Sequence, residues 1–112
     1  LGEQPDRPTL LFIHHPPFDV VDHYIGGYRH PEEAAALERI VKRHSQVIGM
    51  LCGHVHWLVD REWAGTQARI MPSIAVDVRK GIDEDEAEGR PIYMLHRLSG
   101  ANGLVSETRT AR

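Results

Sequence analysis

Two short stretches carry the residues able to do chemistry. In "TLLFIHHPPF", residues 9–18, an apolar run ends in His14-His15 and two prolines stop the backbone from continuing as strand or helix. In "GMLCGHVHW", residues 49–57, a second apolar run ends in Gly53 and then His54-Val55-His56. Neutral imidazole is the commonest side-chain ligand for zinc and similar divalent ions near neutral pH. His14, His15, His54 and His56 are therefore candidate metal ligands, and three of them would supply most of a first shell. An extended backbone through residues 54–56 would point His54 and His56 to the same side, because the side-chain period of a strand is two. Gly53 leaves the chain free to turn where these groups are displayed.

The elements that must bring the two stretches together are legible in the pattern. Thr9–Ile13 is a continuous apolar, β-branched run, as expected of a strand buried on both faces of a largely parallel sheet. Residues 14–30 read as a long loop pinned by Phe18, Tyr24 and Tyr28. A helix follows: Pro31 suits its first position, Glu32 and Glu33 its positive end, and Lys42, Arg43 and His44 its negative end. Leu37, Ile40 and Val41 form its apolar face. Val47–Cys52 is the next strand. Strand, helix, strand in this order is a right-handed crossover with parallel strands, and ligands in such sheets gather beyond the carboxyl ends of the strands. His14-His15 and His54–His56 sit at those ends.

Further on, Trp57–Trp63, the turn Ala64-Gly65-Thr66 and Gln67–Met71 read as a β-hairpin. "KGIDEDEAEGR", residues 80–90, reads as a solvated acidic loop without the spacing of a calcium site. Ile92–Leu98 and Leu104–Thr108 read as an antiparallel pair joined by "SGANG". The expected fold class is α/β, a mixed sheet with a flanking helix and C-terminal antiparallel strands.

Composition bounds the function. The chain has 112 residues, a net charge of −3 and 41% hydrophobic residues, which suits one domain with a modest core. No basic block or stripe favours a nucleic acid or an acidic membrane surface, and the apolar runs are too short to span a bilayer. The single cysteine, Cys52, reads as a small buried hydrophobe in a strand. It excludes an internal disulfide and fits a reducing, cytoplasmic setting. Ser73 has no adjacent base pattern and is not expected to act as a nucleophile. Trp57 either caps the site or packs under the hairpin, and packing is the favoured reading.

"FIHHPPF", a helix and then "LCGHVHW" resemble the C-terminal half of a calcineurin-like metallophosphoesterase, in particular the class III cyclic-nucleotide and glycerophosphodiesterase group. The resemblance implies that His14 and His54 bind one metal, that His56 binds its neighbour, and that His15 lines the phosphate pocket as a catalytic residue. It also implies a phosphate-ester substrate and two metal ions (Mn, Fe or Zn) in the intact enzyme. Two metals would clamp the phosphate oxygens and activate a water for in-line attack.

The D-x-H, G-D and G-N-H motifs of that family do not occur here. Asp22-His23 is adjacent rather than spaced, and Asp19 and Asp22 read as solvated loop acids. The expectation is a C-terminal portion of a metallophosphoesterase domain that holds at most one metal and is nearly inactive alone. It would expose a sheet surface suited to self-association. The alternative is a non-catalytic metal-binding or assembly module using three histidines.

Overall fold

The computed structural model describes residues 1–20, 30–99 and 103–112, with the side chain of residue 99 outside the description. Tyr24, Tyr28, Asp22 and His23, on which sequence expectations fell, lie outside the described residues. The elements are β1 (Thr9–Ile13), α1 (Pro31–Lys42), β2 (Val47–Cys52), β3 (Val59–Trp63), β4 (Thr66–Ile70), a 3₁₀ turn (Val76–Val78), the short helix α2 (Glu84–Ala87), β5 (Ile92–Ser99) and β6 (Gly103–Thr110). They form a four-stranded sheet in the order β1-β2-β4-β3 and a two-stranded sheet β5-β6. The α/β class and the mixed sheet are as expected. β1 and β2 are parallel, β2 and β4 are parallel, and β3 and β4 make the antiparallel hairpin.

β2 is the centre of the molecule. All of its residues except Ile48 are buried. On one face Met50 and Cys52 join Ala68, Ile70, Trp63 and Val55, and Val41 of α1 covers them. Leu11 and Ile13 of β1, and Leu37 of α1, pack against the same cluster. The opposite face meets the β5-β6 sheet at Gly49. A Cβ there would stand 2.8 Å from Leu104 Cδ2 and 3.1 Å from Leu10 Cδ1, so the absent side chain sets how closely the two sheets approach.

Three expectations need correction. β1 is not buried on both faces: it ends the sheet order, and Phe12 is 72% exposed. An apolar run does not distinguish a central strand from an edge strand whose second face is uncovered. The apolar face of α1 is narrower than its sequence suggests, since Val41 is buried and Ile40 is 41% exposed. Residues 80–90 are more than a solvated loop. Asp83 caps α2 by accepting from the backbone N–H groups of Asp85 and Glu86, and Ala87 is buried. The buried Arg79 side chain pairs with Glu84 and donates to the Arg90 carbonyl at 2.6 Å.

The β5-β6 sheet also carries a histidine suited to a stability test. His96 Nδ1 lies 2.7 Å from Ser106 Oγ, while its Nε2 is buried with no hydrogen-bond partner among the described residues. Burial, assisted by the nearby Arg69 cation, lowers its pKa below the ordinary 6.5. The folded state thus resists a proton that the unfolded chain accepts. Stability rises with pH between the lowered value and 6.5, and falls as the pH drops through that window. Denaturant midpoints measured across this range should decline toward acid more steeply for the native chain than for His96→Asn. Equal slopes would contradict the assignment.

Candidate metal centre

The site is built where β1 and β2 end together. The parallel register pairs Ile13 with Cys52, the last residue of each strand. One further hydrogen bond continues the ladder, with the Gly53 N–H donating to the His14 carbonyl at 3.0 Å. The His14 ring then lies along Gly53, where a Cβ would stand 3.4 Å from its Nδ1. Residues 14 and 15 are already bends rather than strand, so the alternation of the strand has ended and both rings can turn toward the neighbouring tip. Pro16 and Pro17 are buried and close the backbone behind them.

After Gly53 the chain does not run extended. The Val55 N–H donates back to the Gly53 carbonyl at 2.8 Å, a three-residue turn centred on His54 with φ 67°. His56 also has positive φ, 61°. Val55 between them is 2% exposed and anchored in the core. Left-handed backbone at a non-glycine residue costs on the order of 1–3 kcal/mol and persists only where the surroundings over-determine it. The period-two argument for His54 and His56 therefore fails, because a three-residue turn at His54 and positive φ at His56 replace the extended segment it assumed.

Three imidazoles converge as a result. The ring centroids of His14 and His54 are 5.4 Å apart, those of His14 and His15 4.9 Å, and those of His15 and His54 4.0 Å. One ring nitrogen from each of His14, His15 and His54 falls within 4.8 Å of the others. His14 and His15 are exposed and His54 is half-buried, so the group is open to solvent on one side. His56 is not a member of this group. His15, read from the sequence as a phosphate-pocket residue, is.

The donor set fits a divalent ion. Nitrogens bonded to a tetrahedral zinc at about 2.0–2.1 Å stand about 3.4 Å from one another, a modest contraction of the observed spread. No aspartate or glutamate belongs to the group among the described residues. Cys52 supplies no thiolate. It is 1% exposed, and burial pushes its thiol up to about 11. Ser73 Oγ accepts from the Ala75 N–H, a local loop contact.

Neighbouring residues behave as supports. Phe18 packs toward Trp63, ring centroids 6.3 Å apart, with the Arg61 guanidinium 5.1 Å from its ring centre. Arg61 also donates to the Asp19 carbonyl at 2.7 Å, so residues 18–19 are held to the β3-β4 hairpin. Trp57, favoured from the sequence as packed under the hairpin, is instead 37% exposed with its indole against Gly81.

Comparison with known proteins agrees with the motifs. No protein-family profile matches the chain. A probable glycerophosphodiester phosphodiesterase, GpdQ, of Arcobacter nitrofigilis is 31% identical over an alignment covering 96% of this chain and 41% of that protein. The 3',5'-cyclic adenosine monophosphate phosphodiesterase CpdA of Escherichia coli K12 is 29% identical over 70% of this chain and 28% of its own length. A probable cyclic nucleotide phosphodiesterase of Rhodopseudomonas palustris is 35% identical over the same shares. The chain is thus related to the class III metallophosphoesterases. It spans about 41% of the first of these relatives and 28% of the others.

Zinc titration by calorimetry tests the donor group. His14→Ala and His54→Ala should each weaken binding by more than tenfold. His44→Ala, at the end of α1, should leave it within twofold. Equal affinities for all three variants would remove the site.

Proposed function

We propose that this chain is the C-terminal portion of a metal-dependent phosphodiesterase, and that His14, His54 and His56 are its contribution to the metal ligands. The observation that carries the reading is the convergence of His14 and His54 at adjacent parallel strand ends, 5.4 Å between ring centroids, in a chain whose relatives are phosphodiesterases. The substrates named for those relatives, glycerophosphodiesters and cyclic nucleotides, define the substrate class: a small phosphodiester.

His14 and His54 would hold one metal and His56 its neighbour. His15, 4.0 Å from His54, would face the phosphate or share the first metal. A bound divalent ion supplies Lewis acidity to the phosphoryl oxygens and acidifies water for attack at phosphorus. The chain's own part is to present neutral imidazoles and to hold them against the β1 and β2 tips, which fixes where the phosphate can sit. No carboxylate among the described residues reaches the group, and on this reading charge balance and a bridging ligand come from the remainder of the intact enzyme. With imidazoles alone the chain would hold at most one metal and turn over slowly.

A cytoplasmic setting accords with the single unpaired cysteine, and no helix among the described residues is long and apolar enough to cross a membrane. The exposed Phe12 on edge strand β1 supports self-association of the isolated chain. A non-catalytic metal-binding module remains the second reading, favoured by the imidazole-only donor group.

Hydrolysis of a nitrophenyl phosphodiester with manganese distinguishes the two. The intact protein should turn it over, and His14→Ala or His54→Ala in it should lower kcat/KM by on the order of 100-fold or more, beyond the 10–100-fold typical of removing an outer-sphere partner. Retention of kcat/KM within about threefold in both variants would favour the binding module.

A further inference from the structure

We propose that Gly81, held in place by Arg79, is a positioning residue for His56: the 79–81 segment is a backstop that keeps His56 in its left-handed backbone conformation. The inference rests on the proposed ligand role of His56 only for its functional consequence, since the contacts themselves are independent of any metal.

Several observations meet at this point. The Lys80 N–H donates to the His56 carbonyl at 2.7 Å, and Trp57 and Lys80 form an isolated parallel bridge. The indole of Trp57 lies directly on Gly81, where a Cβ would stand 2.3 Å from both Cδ1 and Nε1. Gly81 itself has φ 71°, so glycine is required twice over, once for backbone and once for space. His56 is thereby held through its own carbonyl and through the ring of the next residue.

The backstop is anchored in turn. The Arg79 side chain has no exposed surface, and it joins Glu84 on α2 to the Arg90 carbonyl beyond it. Leaving the buried guanidinium without its partner would be unfavourable, so the 79–90 segment is organised around Arg79, although Glu84 itself is 48% exposed. Residues 80–90, acidic and bounded by glycine, would otherwise be an ordinary surface loop. Here they form the wall against which the His56 turn is set. Left-handed backbone at a histidine survives only where neighbours impose it, and among the described residues Lys80 and Gly81 touch His56 and Trp57 from outside their own strand tip.

The test compares Gly81→Ala with Gly89→Ala in the full chain, reading the imidazole and indole NMR resonances and zinc affinity. Gly89 has φ 62° and nothing within 4 Å of its would-be Cβ, so it carries a similar backbone penalty without an indole to displace. Gly81→Ala should shift the His56 ring and Trp57 Nε1–H resonances, and Gly89→Ala should leave both in place. Trp57→Ala, which removes the anchor without a clash, should also shift the His56 ring, and it decides the matter if Gly81→Ala does not fold. An unmoved His56 ring in folded Gly81→Ala, or in Trp57→Ala when the former is unfolded, overturns the proposal. Where zinc perturbs His56 in the native chain, Gly81→Ala should weaken that perturbation at least threefold. Where zinc leaves His56 untouched yet Gly81→Ala still moves it, the positioning stands and the ligand role of His56 falls.

Discussion

One hydrogen bond beyond the end of a parallel ladder organises the candidate centre. The Gly53 N–H reaches the His14 carbonyl at 3.0 Å, one step past the Ile13–Cys52 pair. It ties the two strand tips so that residues following each are forced into a shared space. Parallel pairing is what makes this possible, because only parallel strands end on the same edge of a sheet. The buried β2 strand and the crossover through α1 impose that pairing. Side chains with no apolar contribution to folding are thus placed by an apolar core a few residues away.

Two of the four non-glycine residues with positive φ among the described residues stand at the same tip. His54 and His56 both occupy left-handed backbone, and the core-buried Val55 stands between them. The backbone is held from one side by Gly53 and from the other by Lys80 and Gly81. Histidine tolerates this conformation better than β-branched residues do, but the conformation has to be enforced. That requirement connects the acidic 80–90 segment, remote in sequence, to the turn at residues 54–56.

Much of the fold could be read from residue pattern. The apolar runs 9–13 and 47–52 and the helix between them have strong local signatures, and Pro31 and the Ala64-Gly65 turn mark boundaries by backbone chemistry alone. What pattern could not supply was long-range. Nothing local in "TLLFI" says that Phe12 faces outward, because burial of the second face depends on which element covers it. Nothing local in "KGIDEDEAEGR" shows that Arg79 is buried and that Glu84 pairs with it. At the site, the convergence of His14 and His54 followed from topology. The membership of His15, and the absence of His56 from the same group, depended on backbone turns at residues 14–15 and 53–56 that period-two reasoning excludes.

The central claim is that His14, His15 and His54 present ring nitrogens to one point. X-ray absorption at the zinc edge of the zinc-loaded chain tests it most directly. The account predicts at least two imidazole nitrogens at about 2.0–2.1 Å, with one fewer in His14→Ala. A first shell of oxygen alone, or an imidazole count unchanged by His14→Ala, would contradict it.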